Sequence, residues 1–249
     1  ALSPELKTKI ENETEPARLE DLYLPYKPKK RTKAQIAREK GLEPLAQNIL
    51  RQTNDDPEFL ARAFVNENVN SIEEALSGAR DIIAETINED ATVREAMRQH
   101  FIKNAHIRSQ VVKGKEEEAA TYRDYFDFSE AVKHSKSHRL MAMLRGEREG
   151  LLRVHVAVEP EEMETIVARR YVKSRNKAAE QVTIALKDCC KRLLSPSMET
   201  ETVNYYKELA DLEAIKVFAS NLRQLLMLPP AGEKRILGID PGFRTGCKI

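Results

Sequence analysis

The 249-residue chain is 41% hydrophobic and 33% charged with only 9 glycines and 11 prolines, a balance that suits a helix-rich globular protein better than an all-β one and argues against disorder over most of its length. Its 41 Lys plus Arg stand against 40 Asp plus Glu, so attraction to a polyanion has to come from local clusters and not from a global field. Three cysteines, two of them adjacent at Cys189 and Cys190, give neither a disulfide framework nor a zinc spacing and point to a reducing compartment. No apolar run approaches the roughly 18 residues of a membrane span, and no secretory signal opens the chain, so a soluble, cytoplasmic protein with no membrane partner is expected. A start at Ala1 without an initiator methionine, and an end at Ile249 inside what reads as a strand, lead to the expectation of a piece of a longer protein.

In chain order, Leu6, Ile10, Leu19, Leu22 and Leu24 predict helical turns interrupted at Pro16 and Pro25. Residues 27 to 33 read KPKKRTK, and Ala34 to Lys40 predict a short helix stopped at Gly41, a natural C-cap, ahead of a helix carrying Leu45, Ile49 and Leu50. Asp56 before Pro57 opens another helix, and Ser71 with Glu74 forms a capping box ahead of Ala75, Leu76, Ile82, Ile83 and Ile87. Asp90 caps a helix with Val93, Met97 and Phe101, extended toward Ile107, and the polar stretch from Val112 to Ala120 predicts a loop or helix boundary.

Leu152, Val154, Val156 and Val158 alternate with Arg153, His155 and Ala157, the period of a half-buried strand. Its partner is expected to be another short strand nearby or an edge in a domain outside this sequence. Glu159-Pro160 begins a helix, a second runs from about Lys177 to Leu194, and Ser195-Pro196 predicts a break. The third helix, from Ser197 to Leu228, carries one apolar stripe through Val203, Tyr206, Leu209, Leu212, Ile215, Phe218, Leu222 and Leu225. It would span roughly 50 Å at 1.5 Å per residue and reads as a connecting strut. Pro229-Pro230 ends it, and Ile236 to Asp240 predicts an apolar strand leading into a turn at Pro241-Gly242.

Two basic clusters are candidate nucleic-acid contacts. Lys27, Lys29, Lys30, Arg31 and Lys33 lie beside Tyr23 and Tyr26, an arrangement in which cations meet phosphates while a ring stacks on a base. The bland alternative is a solvated turn whose tyrosines pack into the core. Arg169, Arg170, Lys173 and Arg175, continuing to Lys177, form the second cluster with no acid between its members. Near a helix end such cations also complement the dipole, or serve as a docking surface for another protein. His134 and His138 stand four apart, but no third ligand has a compelling spacing beside them, so no metal or cofactor is expected. Neither a phosphate-binding glycine loop nor a serine-nucleophile elbow is present.

The segment ILGIDPGFRTGCKI, Ile236 to Ile249, resembles the first hairpin of the RNase H-like superfamily, in particular its RuvC and YqgF branch. The segments ARLEDLYLPYKPKKRTKAQIAREKGLEPLAQNIL, Ala17 to Leu50, and LRGEREG, Leu144 to Gly150, closely resemble Tex proteins. The resemblance implies a mainly α protein: a multi-helical domain with a helix-turn-helix-like element over residues 1–195, with one short strand near 151–158, a long connecting helix over 196–230, and from 231 to 249 the first β-hairpin of a truncated RNase H-like α/β domain. It also implies a cytoplasmic transcription accessory factor, not an enzyme, that positions RNA- or DNA-binding modules near RNA polymerase or other transcription factors. Helix-hairpin-helix elements and an OB-fold RNA-binding domain would lie beyond Ile249. Asp240 falls where active superfamily members keep one of several carboxylates around two metals about 4 Å apart. One carboxylate cannot hold that pair, and the family is regarded as lacking the full acidic set, so Asp240 reads as vestigial. The alternative is a metal-dependent RuvC-like nuclease whose other acids lie further along.

Overall fold

The computed structural model describes residues 3–27, 31–230, 232–242 and 246–248. Two compact units divide it, Ala1–Ala210 and Asp211–Ile249.

The first unit opens with α1 (Pro4–Asn12) and α2 (Pro16–Tyr23), followed by α3 (Lys33–Glu39), α4 (Glu43–Arg51), α5 (Pro57–Arg62), α6 (Ile72–Asn88) and α7 (Ala91–Asn104). Local chemistry sets their ends. Thr32 Oγ1 accepts from Gln35 N at 3.0 Å, Asp56 Oδ1 from Glu58 N at 3.0 Å, Ser71 Oγ from Glu74 N at 3.1 Å and Asp90 Oδ1 from Thr92 N at 2.9 Å, each satisfying a donor that the first helical turn leaves free. Gly41, with φ of 79°, reverses the chain between α3 and α4. Leu42, Leu45 and Ile49 meet Ile82, Ile83 and Ile87 of α6 in the fully buried core, each such side chain contributing about 1.5–3 kcal/mol relative to exposure.

The expected extension of α7 to Ile107 does not form. The helix stops at Asn104, and Ile107 lies on β1 (His106–Val111), buried on the core face of an antiparallel sheet ordered β2-β1-β3. β3 (Leu152–Ala157) is the strand its alternation predicts, pairing Val154 with Ser109 and Val156 with Ile107. β2 (Asp127–Ala131) pairs on the other side of β1, Phe128 against Ser109. The single expected strand therefore finds its partner nearby, in a sheet of three. β1 escapes notice because His106, Arg108, Ser109 and Gln110 dilute its apolar alternation, leaving only Ile107 and Val111 as apolar signals.

α8 (Ser137–Arg148) packs on β3, followed by α9 (Pro160–Tyr171) and α10 (Lys177–Cys189). The break predicted at Ser195-Pro196 is absent. A π-type segment, Cys190–Leu194, carries α10 into α11 (Ser195–Leu226), with Ser195 N donating to Cys190 O. Proline in a regular helix loses one bond and collides with the carbonyl four residues back, and a locally wider turn eases the collision.

A charged network lies within the first unit. Asp21 of α2 pairs with Arg94 and, at 2.6 Å, with Arg98 of α7, and both arginines reach Glu201 of α11, Arg98 Nε at 3.0 Å. Arg94 also donates to Ser197 Oγ at 2.9 Å. Mutual attraction keeps Arg98 fully cationic: burial works against the charge, but the hydrogen bond to Asp21 and the nearby carboxylates raise its pKa above the ordinary value.

In the second unit β4 (Asp240–Gly242) pairs with β5 (Gly246–Lys248), Asp240 opposite Lys248. The hairpin pairing forms, but later than expected: Asp240 begins a strand instead of ending one, and Pro241 and Gly242 lie within that strand. Ile236, Leu237 and Ile239 precede the strand with exposed side chains.

The motif LRGEREG owes one glycine to packing. A Cβ at Gly146 would meet Leu152 Cδ1 at 2.6 Å and Cγ at 2.8 Å, where α8 crosses β3. Gly146→Ala is therefore expected to lower stability by about 1–3 kcal/mol, the usual cost of forcing one extra carbon into a packed core. The urea midpoint should fall with an unchanged m-value, and an unchanged midpoint would contradict the close approach.

Candidate nucleic-acid interface

Helix α2 ends at Tyr23, and one short 3-10 turn, Leu24–Tyr26, delivers the chain into the basic run. Tyr23 and Tyr26 are 46% and 65% exposed, which removes the alternative in which both pack into the core. Lys27 is exposed and its Nζ lies 2.6 Å from Glu20 Oε1, a contact that raises its pKa above the lysine range. Arg31 reaches Glu39 at 3.5 Å, whereas Lys33 is exposed with no ion pair among the described residues. Lys29 and Lys30 lie outside the described residues. The far end of the run is anchored: Thr32, the cap of α3, donates to Glu85 Oε1 at 3.0 Å, and Glu85, itself buried, is held by Arg38.

The second cluster occupies the last turn of α9 and the turn into α10. Arg169, Lys173 and Arg175 are exposed with no ion pair among the described residues. Arg170 is spent internally, its Nε 2.6 Å from Asp90 Oδ2, and Tyr171 donates to the same oxygen at 3.0 Å. Burial disfavours the Asp90 anion, but the hydrogen bonds from Arg170, Tyr171 and Thr92 N outweigh it and hold the carboxyl below its ordinary range. Lys177 pairs with Asp56 at 2.5 Å. Gln52, a residue to which no sequence signal points, lies beneath this turn.

Elsewhere the sequence's candidates separate. His134 falls in the turn before α8 and His138 inside the helix, so they do not share a helical face. Among the described residues no group of three or more His, Cys, Asp or Glu side chains is arranged to hold a metal, and no helix is long and apolar enough to cross a membrane. Asp240 is exposed at the start of β4. Cys189 and Cys190 are buried, and loss of hydration raises both thiols, Cys190 to about 12, which leaves them unreactive core groups.

Fold and surface together define a mainly helical protein with a small antiparallel sheet, bearing two basic segments on an ion-paired frame. A family model described as Tex central region-like matches residues 52–218. The transcriptional accessory protein Tex of Neisseria gonorrhoeae is 44% identical over 255 residues, covering 99% of this chain and 33% of that protein. Protein tex of Bordetella pertussis is 42% identical over 265 residues, covering 100% and 33% respectively. The human S1 RNA-binding domain-containing protein 1 is 28% identical over 248 residues, covering 93% of this chain and 25% of its own length. The chain belongs to the Tex family. It spans about a third of the length of the bacterial relatives it matches. The family-model match takes in the second basic cluster, and the first lies in the portion aligned only with full-length relatives.

The Asp90 contacts make a testable electrostatic statement. Asp90→Asn keeps the helix cap but loses the anion that Arg170 and Tyr171 address. Because Arg170 is half exposed, the expected cost at neutral pH is only about 1 kcal/mol. Since the folded-state pKa is depressed, this stabilisation is complete above the ordinary value of 3.8 and is lost as pH falls through the lower folded value. Urea denaturation of both proteins across that acid range should show the difference shrinking to zero, and a gap that persists at the acid end would refute the assignment.

Proposed function

We propose that this chain is part of a nucleic-acid-associated transcription accessory factor, acting as a non-catalytic scaffold that positions RNA- or DNA-binding modules near RNA polymerase in the cytoplasm. The observation that carries the reading is the exposed pair Tyr23 and Tyr26 leading directly into Lys27, Lys29, Lys30, Arg31 and Lys33. Exposed rings with flanking cations combine base stacking with phosphate contact, and every base offers a face to stack upon. The exposed cations Arg169, Lys173 and Arg175, with Arg170 beside them, extend the same chemistry to a second surface. The names of the relatives support it: one is a transcriptional accessory protein and another an RNA-binding-domain protein. In this reading residues 1–195 form the helical body, 196–230 the connecting arm and 231–249 the opening of an RNase H-like domain in which Asp240 is vestigial.

The test is a salt series. Binding of a fluorescent single-stranded oligonucleotide is measured for the parent and for Lys29→Glu, Lys30→Glu, Arg31→Glu combined. Loss of three phosphate contacts should weaken binding and reduce the slope of log K against log salt by about 2. Unchanged affinity and slope would remove the basic run from the interface.

A further inference from the structure

Gln52 closes α4 in the left-handed conformation, with φ of 54° and ψ of 40°. Helices that end this way usually place glycine there, because a Cβ is strained at positive φ. Gln52 is nonetheless only 6% exposed, and both ends of its amide are hydrogen-bonded. Its Nε2 donates to Tyr171 O at 2.6 Å, while its Oε1 accepts from Lys173 N at 2.8 Å and Ser174 N at 3.2 Å. Only one orientation of the amide meets a carbonyl on one side and two N–H groups on the other. The return contact comes from Asn176, whose Nδ2 donates to Gln52 O at 2.9 Å and Thr53 O at 2.8 Å, while its Oδ1 caps α10 through Ala179 N at 2.9 Å.

The turn between α9 and α10 is thus gripped at both ends by a residue 119 or more positions away in sequence. The grip pairs Tyr171 O, Lys173 N and Ser174 N while the side chains of Lys173 and Arg175 stay exposed. Acids that pair with or flank the clamp are largely engaged: Asp56 by Lys177 and Asp90 by Arg170, with Asp55 accepting from Thr53 Oγ1 and Glu180 exposed one turn into α10.

We propose that the α9–α10 turn is a preorganised loop that contacts the phosphate backbone of a nucleic acid through Arg169, Lys173 and Arg175, and that Gln52 is the positioning residue that sets its shape. This rests on the nucleic-acid reading above and adds to it a mechanism. A strained backbone is retained where a side chain is needed, and the primary amide here supplies both a donor and an acceptor that glycine lacks. Holding the turn in one conformation before binding spares part of the ordering cost that a loose basic loop incurs on association. No base is read at this surface, so binding through it is insensitive to sequence and sensitive to salt.

Gln52→Gly provides the discriminating variant. Glycine relieves the left-handed strain, so the fold is retained, while the clamp is deleted. In the full 249-residue chain, amide hydrogen exchange at Lys173 and Ser174 should accelerate, and affinity for a single-stranded oligonucleotide should fall about three- to tenfold with the salt slope unchanged. Lys173→Glu with Arg175→Glu should instead lower both affinity and slope, the slope by about 1.4 for two phosphates. Accelerated exchange with parental affinity would overturn the positioning role. Unchanged exchange would overturn the clamp itself. If the double charge reversal leaves affinity and slope unaltered, the nucleic-acid reading of this cluster fails, whatever Gln52 does.

Discussion

Helix α2 buries one side chain, and that side chain is a carboxylate. Asp21, 4% exposed, is met by two arginines of α7 that also reach Glu201 and Ser197 at the start of α11 and, through Arg98 Nη1 at 2.8 Å, Glu95 of α7 itself. Removing several charges from water costs several kcal/mol per ion, and their attraction returns that only when the lone pairs and protons are matched. The network therefore adds little net stability compared with a well-packed apolar plug, and its contacts tie α2, α7 and the start of α11 together. Helix α2 ends at Tyr23, and the exposed tyrosines follow at once. The helix that leads into the candidate interface is thus held by a buried ion network.

The same conversion of charge into geometry explains why a chain with near-zero net charge can still present local basic surfaces. Lys27, Arg31, Arg170 and Lys177 all sit in the basic segments, and all four are paired with acids. Those four are paired in the free protein, while Lys33, Arg169, Lys173 and Arg175 remain exposed and outside any ion pair among the described residues. Exposed ion pairs are worth about 0–1 kcal/mol. A phosphate arriving beside Lys27 or Arg31 competes with a weak partner, so pairing in the free protein does not remove those cations from an interface.

Helix ends were readable because their chemistry is local: Asp56, Ser71 and Asp90 act on donors two or three residues away, and Gly41 takes the left-handed conformation within the turn itself. β3 was readable because Leu152, Val154 and Val156 all face the core. β1 was not, since a central strand flanked by two partners gains its stability from backbone pairing, and its composition carries only Ile107 and Val111 as apolar signals. The continuation from α10 into α11 was hidden for another reason. Proline predicts a break only if the helix keeps its regular bonding, and the π-type segment at Cys190–Leu194 changes that premise. Of the basic surfaces, the residues were visible in sequence, but the separation of paired from unpaired cations was not, because Asp90 stands 80 positions from Arg170.

The apolar stripe of α11 marks the limit of periodicity as an argument. Leu212, Ile215, Phe218 and Leu225 recur at helical spacing and are 59%, 63%, 68% and 66% exposed, whereas Met198, Thr202 and Ala210 on the earlier part of the same helix are buried. A recurring apolar residue every three or four positions states which face a helix would bury, and nothing in that pattern states against what. Gln52 illustrates the complementary case. Its role at the α9–α10 turn follows entirely from what the fold brings to it, a carbonyl and two N–H groups from residues 119 to 122 positions on. Pattern identifies surfaces, and only tertiary contact assigns their partners. A lone polar residue in a strained conformation, with both its amide oxygen and its amide nitrogen engaged, is therefore a stronger pointer to a constrained surface than a long apolar stripe.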